Sequence, residues 1–199
     1  SSTFDTDEKL EEVRVASIIA SHHDPLWVLS LKESGHVALV DYSKPDFPMT
    51  AKIGAERFLH DGGWDKTKRY FMVAANMRNK MAVIDVNEQK LVTTFETGNK
   101  PHPGRGANWE DPEFGWVNAT THIGQGFFSV YGTDPVGSPD HAWKVVRKVE
   151  TGSSGLVAHL IAPESPGRAV DATGDAGGGI QRDGCIQAVD GNRSPRGEC

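Results

Sequence analysis

Apolar residues in this chain fall in short runs set off by Gly, Pro, Asn and Asp, and the runs come in pairs. Leu26-Trp27-Val28-Leu29-Ser30-Leu31 leads through Glu33-Ser34-Gly35 to Val37-Ala38-Leu39-Val40-Asp41. Arg69-Tyr70-Phe71-Met72-Val73-Ala74-Ala75 leads through Arg78-Asn79-Lys80 to Met81-Ala82-Val83-Ile84-Asp85, followed by Lys90-Leu91-Val92-Thr93-Thr94-Phe95. Trp116-Val117-Asn118-Ala119-Thr120-Thr121 leads through Gly124-Gln125-Gly126 to Phe127-Phe128-Ser129-Val130-Tyr131. Runs rich in β-branched and aromatic residues between turn formers predict strands and hairpins, and no long stretch has helical periodicity. Equivalent aspartates, Asp41, Asp85 and Asp134, recur 44 and then 49 residues apart. An irregular β-sandwich could space its strands this way, but a period of about 40 to 50 residues with several strands per unit is the pattern of a β-propeller blade. Three such units and a degraded fourth cannot close a large ring. The expected fold is therefore all-β, a segment of a propeller with about three to four blades present and further blades on both sides.

Composition divides the chain near residue 150. All 16 aromatics and every Lys precede residue 151, whereas residues 151–199 carry 10 of the 22 Gly. A packed β core draws on aromatics, so the expected organisation is a polar lead-in over 1–12, the propeller segment over 13–150, and a Gly-rich tail of low order over 151–199. Pro163-Glu164-Ser165 and Val170-Asp171-Ala172-Thr173 faintly echo a further hairpin. With 37% hydrophobic residues the chain has material for a core. Its net charge of −6 comes without any basic patch, which argues against nucleic acid as a partner. No apolar run approaches the roughly 18 to 20 residues of a membrane span, and Ser1 to Glu12 lacks the form of a signal peptide. Cys185 and Cys199, with no C-x-x-C or C-x-x-C-H, support neither a zinc site nor a covalent c-type haem, and they read as incidental thiols ahead of a disulfide between them.

Two segments carry candidate chemistry, Phe58-Leu59-His60-Asp61-Gly62-Gly63 and Pro101-His102-Pro103-Gly104-Arg105-Gly106-Ala107-Asn108. Each sets a histidine before residues that read as a tight turn. Similar phases in consecutive blades would bring His60, His102 and Arg105 to one mouth of the channel. Paired imidazoles suit proton delivery near neutral pH, and a guanidinium offers a fork for a carboxylate. Each histidine reads equally well as a hydrogen-bonded turn residue. Ser21-His22-His23-Asp24 precedes a strand much as His60 does and reads as solvated loop. His36, His122, His141 and His159 show no metal-ligand spacing, and Gly177-Gly178-Gly179 lacks the Lys-Ser/Thr of a phosphate loop.

Taken together with Ala55-Glu56-Arg57 upstream, Trp64-Asp65, Arg69-Tyr70-Phe71-Met72, Gly132-Thr133-Asp134-Pro135 and Ala142-Trp143-Lys144, these two motifs resemble the d1-haem domain of cytochrome cd1, the dissimilatory nitrite reductase. The resemblance runs from about Val13 to Val149. It implies an eight-bladed propeller holding haem d1 on its axis, in a periplasmic homodimer whose separate N-terminal domain carries haem c. The implied reaction is one-electron reduction of nitrite to nitric oxide, with electrons from a small donor such as a c-type cytochrome or a cupredoxin. His60 and His102 fall on the family's distal-pocket histidines, and Arg105 with Gly104 on the segment that contacts the macrocycle and its carboxylates. The C-x-x-C-H domain and the proximal iron ligand are expected upstream, so no metal ligand is assigned here and the segment alone is expected to be inactive. After Glu150 the family pattern departs, as in a partial gene product whose last quarter is divergent or frame-shifted. Two other readings are a d1-haem biogenesis or carrier propeller without nitrite turnover, and a cofactor-free interaction propeller.

Overall fold

The computed structural model describes residues 1–152 throughout and, beyond them, the backbone of four short strands. Three antiparallel sheets follow one another along the chain. The first contains β1 (Val15–Ala20), β2 (Leu26–Leu31), β3 (His36–Asp41) and β4 (Met49–Gly54), in that order. The second repeats the plan with β5 (Leu59–Trp64), β6 (Tyr70–Ala75), β7 (Lys80–Asp85) and β8 (Lys90–Glu96). The third opens with two short pieces, β9 (Pro101–His102) and β11 (Trp109–Asp111), on either side of β10 (Gly104–Gly106), which lies outside this sheet. It continues through β12 (Gly115–His122), β13 (Gln125–Gly132) and β14 (Val145–Glu150). Its order is β11-β12-β13-β14, with β9 also paired to β12. Further on, β15 (Ala158–Leu160) runs parallel to β10 and antiparallel to β16 (Ala169–Asp171), and β17 (Gly178–Arg182) pairs with β18 (Cys185–Val189). Pro163-Glu164-Ser165, Ala172-Thr173, Gly177 and Cys199 lie outside the described residues.

Repetition is visible in the polar turns as well as the strands. Asp41 and Asp85 end the third strand of their sheets, and Asp134 follows the third strand of its own. Each accepts a hydrogen bond from the amide two residues on, at Ser43 (2.9 Å), Asn87 (3.1 Å) and Val136 (3.0 Å). A short side-chain acceptor of this kind closes the turn locally, the role that aspartate performs well.

The core lies between the sheets. Val28, Leu39 and Ile53 of the first meet Leu59, Phe71 and Ile84 of the second, while Met72, Met81, Val83 and Phe95 of the second meet Tyr131 of the third. The middle strands β3, β6 and β7 are thus covered on both faces and read as continuous apolar runs. Full burial of a side chain the size of Phe71 contributes about 1.5–3 kcal/mol. Outer strands such as β4 and β14 are largely exposed on one side. The lead-in is anchored to the first sheet by Phe4, whose ring meets His36 edge-on at 6.2 Å.

First strands meet across the sheets, with β5 packed between β1 and β10. The Trp64 indole N–H at the end of β5 donates to the Ala20 carbonyl at 3.2 Å. Here the turn reading of Asp61-Gly62-Gly63 is corrected, because these residues lie inside β5. Glycine is needed there for room: a Cβ on Gly63 would collide with the Arg105 carbonyl, and one on Gly62 with the Met72 carbonyl. Pro101-His102 is a strand piece paired with β12, and the turn expected after it is closed by the Gly106 N–H, which donates to the Pro103 carbonyl at 2.9 Å. Gly63→Ala should lower the stability of the protein by about 1–3 kcal/mol, the usual cost of overpacking, read as an earlier midpoint in urea unfolding. An unchanged midpoint would show that β10 does not press on β5.

Candidate functional site

A local irregularity in β5 creates the site. Leu59 pairs with Ala75 but Gly62 with Val73, so β5 carries one extra residue at His60-Asp61. A bulge of this kind re-aims side chains that would otherwise alternate between the two faces. Consequently His60 and Asp61, although adjacent, meet: His60 Nδ1 lies 3.0 Å from Asp61 Oδ1. The other carboxylate oxygen, Oδ2, lies 3.5 Å from His102 Nδ1 and accepts the Gly104 backbone N–H. The two imidazole rings stand with centroids 4.9 Å apart, tilted by 47°. The ligand atoms of His60, Asp61 and His102 all fall within 4.8 Å of one another. The His60 side chain is 33% exposed and the His102 side chain 18%, so both rings are half-sheltered yet reachable.

The segment Pro103 to Asn108 is tied down from both sides. Asn118 on β12 accepts the Ala107 N–H at 2.9 Å and the Ala119 N–H at 2.7 Å through Oδ1, and donates through Nδ2 to Asn108 Oδ1 at 3.0 Å. Asn108 in turn donates to the Trp64 carbonyl at 2.8 Å, which binds the segment to the end of β5. Gly106 has φ +71°, and a side chain there would collide with Asn118. Thr121 donates to the His102 carbonyl at 2.6 Å. The fully buried Tyr131 places its hydroxyl 3.4 Å from Asn118 Oδ1. Burial, aided by the Asp61 charge, pushes its phenol pKa far up and keeps it a neutral donor.

The structure therefore brings together His60 and His102, which the sequence singled out, with Gly104 against the carboxylate between them. Arg105 stands apart. Its backbone packs on Gly63, while its exposed side chain forms no ion pair among the described residues and makes no described contact with either imidazole. His22 and His23 are exposed, as a solvated loop should be, and sit at the opposite end of β5 from His60. His23 Nε2 lies 3.0 Å from the Thr67 carbonyl oxygen, and the His22 ring meets Trp64 edge-on at 6.0 Å. Asp61, Asn118 and Tyr131 were given no role from sequence. The available signal was the direct neighbourhood of a carboxylate and a histidine in His60-Asp61.

Comparison with known proteins decides the family. The model of the cytochrome D1 heme domain matches residues 1–177. The chain belongs to the cytochrome D1 heme domain family. A curated relative, nitrite reductase of Stutzerimonas stutzeri, is 45% identical over 159 residues, covering 77% of this chain and 28% of the relative. The chain thus spans little more than a quarter of that protein. Among solved structures, Kuenenia stuttgartiensis hydrazine synthase superimposes with a TM-score of 0.68 at 13% identity, over 96% of this chain and 53% of that one. The dihydro-heme d1 dehydrogenase NirN, in complex with DHE, gives 0.67 at 18% identity over 92% and 37%. At these identities the two structures speak for the fold alone, that of a β-propeller segment as expected. No helix among the described residues is long and apolar enough to cross a membrane.

One histidine of this heme-domain segment is wholly structural. His122 is buried, donates from Nδ1 to the Asn99 carbonyl at 2.8 Å and has Nε2 2.8 Å from Ser129 Oγ. Burial pulls its pKa below the usual value. The unfolded chain therefore takes up a proton at this residue more readily than the folded one, so its stabilisation is present above about pH 6.5 and is lost as pH falls below that value. His36, also lowered by burial, acts in the same direction. Denaturation midpoints should fall between pH 7 and pH 5, and fall less in His122→Gln. Equal slopes in the two proteins would remove His122 from the acid response.

Proposed function

We propose that this chain is part of a nitrite reductase and that His60 and His102 deliver the two protons of the reaction. The observation that carries the reading is the pair of imidazoles 4.9 Å apart on one carboxylate, in a heme-domain chain 45% identical to a nitrite reductase. Nitrite takes up one electron and two protons, loses one oxygen as water and leaves nitric oxide. Haem d1, when bound, supplies the electron.

The residues present fit such a group. Arg105 exposes a guanidinium with no carboxylate partner among the described residues, a fork suited to the acidic substituents of a macrocycle. Gly104 offers backbone without a side chain beside it. His60 and His102 bind the nitrite anion by hydrogen bonds, hold one proton each at the ring nitrogen turned away from Asp61, and release both to the departing oxygen. Imidazole titrates within the physiological range and suits this work, and a positioned proton donor contributes about 10²- to 10⁴-fold to rate. Partial burial keeps bulk water from competing for the same contacts.

In this reading residues 13–150 are the haem-d1 portion, flanked by the lead-in 1–12 and the tail 151–199. The whole protein is a periplasmic homodimer carrying haem c and the proximal iron ligand in other parts, fed by a c-type cytochrome or a cupredoxin. The segment by itself would not turn over nitrite. A dehydrogenase or carrier of haem d1 is the second reading, supported by the likeness in fold to the NirN complex. Its need for two adjacent proton donors is weaker.

His60→Ala and His102→Ala in the full-length protein should each cut nitrite turnover by about 10²-fold or more, with the haem d1 absorption unchanged. Turnover at the parent rate in both variants would remove the catalytic assignment, and loss of haem d1 would favour a binding role.

A further inference from the structure

We infer that His60, Asp61 and His102 form a binding site for a divalent transition-metal ion of the Zn²⁺ class, and that such an ion is a reversible brake on the histidine pair. The binding stands on the geometry alone, whereas the brake on turnover rests on the proton-donor reading.

Each of the three residues offers one ligand atom, and these atoms all lie within 4.8 Å of one another. A tetrahedral ion with bonds of about 2.0–2.1 Å holds its ligand atoms about 3.3 Å apart. His60 Nδ1 stands 3.0 Å from Asp61 Oδ1, and His102 Nδ1 stands 3.5 Å from Oδ2, so one imidazole already lies near that distance from each carboxylate oxygen. The gap between the two rings, whose centroids are 4.9 Å apart, closes by a turn of the His60 ring, the more exposed of the two. The bulge in β5 is what lets two adjacent residues reach one ion. From behind, the Gly104 N–H on Oδ2 orients the carboxylate, the kind of outer contact that fixes a metal ligand. β9 holds His102 through its pairing with β12 and through the Thr121 hydroxyl on the His102 carbonyl. All three side chains are between 17% and 33% exposed, so an ion can enter without opening the fold.

The donor set selects the ion. Two imidazole nitrogens and one carboxylate oxygen suit Zn²⁺ and its neighbours, whereas Mg²⁺ and Ca²⁺ want shells of oxygen. Neither ring needs to be without other partners, because a ligating imidazole uses one nitrogen and ordinarily donates its other N–H to a second group. Ligation through Nδ1 leaves that N–H on the nitrogen turned away from Asp61. On binding, the ion replaces the proton between His60 Nδ1 and Asp61 Oδ1, and the proton passes to solvent. A ring ligated at Nδ1 cannot be protonated there, so it holds its remaining proton far more tightly than an imidazolium does. Proton delivery then stops until the ion leaves.

The test titrates the full-length protein, loaded with haem d1, with Zn²⁺ by calorimetry and follows nitrite turnover in parallel. The parent should take up one equivalent that millimolar Mg²⁺ does not displace. In His60→Ala and in Asp61→Asn its affinity should fall by about 100-fold or more, beyond the 10- to 100-fold that loss of an outer contact costs. Asp61→Asn keeps the size of the side chain and an acceptor for the Gly104 N–H, so a loss of binding there is a loss of the ligand and not of the fold. Zn²⁺ should slow nitrite turnover of the parent by about 10²-fold or more, and a chelator should restore it. Equal Zn²⁺ uptake by the parent and both variants, or displacement by Mg²⁺, overturns the inference. If the equivalent binds in the parent and is lost in the variants while parent turnover ignores it, the metal site stands, and the brake falls together with the proton-donor reading.

Discussion

Two backbones approach closely where β5 meets β10, and the site exists only because they do. Gly63 lets the Arg105 carbonyl come within reach of β5, and the Asp61 carboxylate, one bulge away, accepts the Gly104 N–H. One contact thus joins β5 to the segment between β9 and β11 and spans the gap between two histidines that are 42 residues apart in sequence. A side chain at Gly63 would push β10 outward and separate His102 from His60.

Around that contact the structure is redundant in a useful sense. The apolar clusters between sheets fix their stacking, with Phe71 and Leu59 on one side of β5 and β6 and Met72 and Tyr131 toward the next sheet. Polar groups then refine position where burial cannot. Asn118 and Asn108 form a relay from β12 to the end of β5, meeting the amides of the Pro103 to Asn108 segment that has almost no ladder of its own. An unmet buried amide costs about 1–3 kcal/mol, so this short, glycine-rich segment holds one shape because its donors have partners. That rigidity is what a pair of proton donors requires, since an imidazole contributes only while it points at its substrate.

The central hairpins were readable from sequence because β3, β6 and β7 are buried apolar runs, and β2, β12 and β13 join them as strands rich in β-branched and aromatic residues closed by turn residues. First and last strands were not, apart from β8. β4 and β14 are half exposed and carry mixed polarity, and β5 contains His60-Asp61-Gly62-Gly63, residue types that ordinarily mark a turn. β4 and β14 are held as strands by pairing with β3 and β13, and β5 by pairing with β6 and by its contacts with β1 and β10, which no local pattern records. The histidine pair was found by its phase in the repeat, whereas Asp61 was missed because Asp61-Gly62-Gly63 read as a turn rather than as part of a strand. Only the bulge between Leu59 and Gly62 turns it toward His60. Arg105 was expected beside the imidazoles on the same reasoning, and its side chain instead lies exposed, free to meet a group that the chain itself does not contain.

The proposed chemistry depends on two imidazoles serving one small anion. The most direct measurement is a crystal structure of the full-length protein, loaded with haem d1 and soaked with nitrite. It should show Nε2 of both His60 and His102 within hydrogen-bond distance of nitrite oxygen, with Nδ1 of each ring toward Asp61. Nitrite bound out of reach of both rings, or rings turned so that Nδ1 faces the anion, would contradict it.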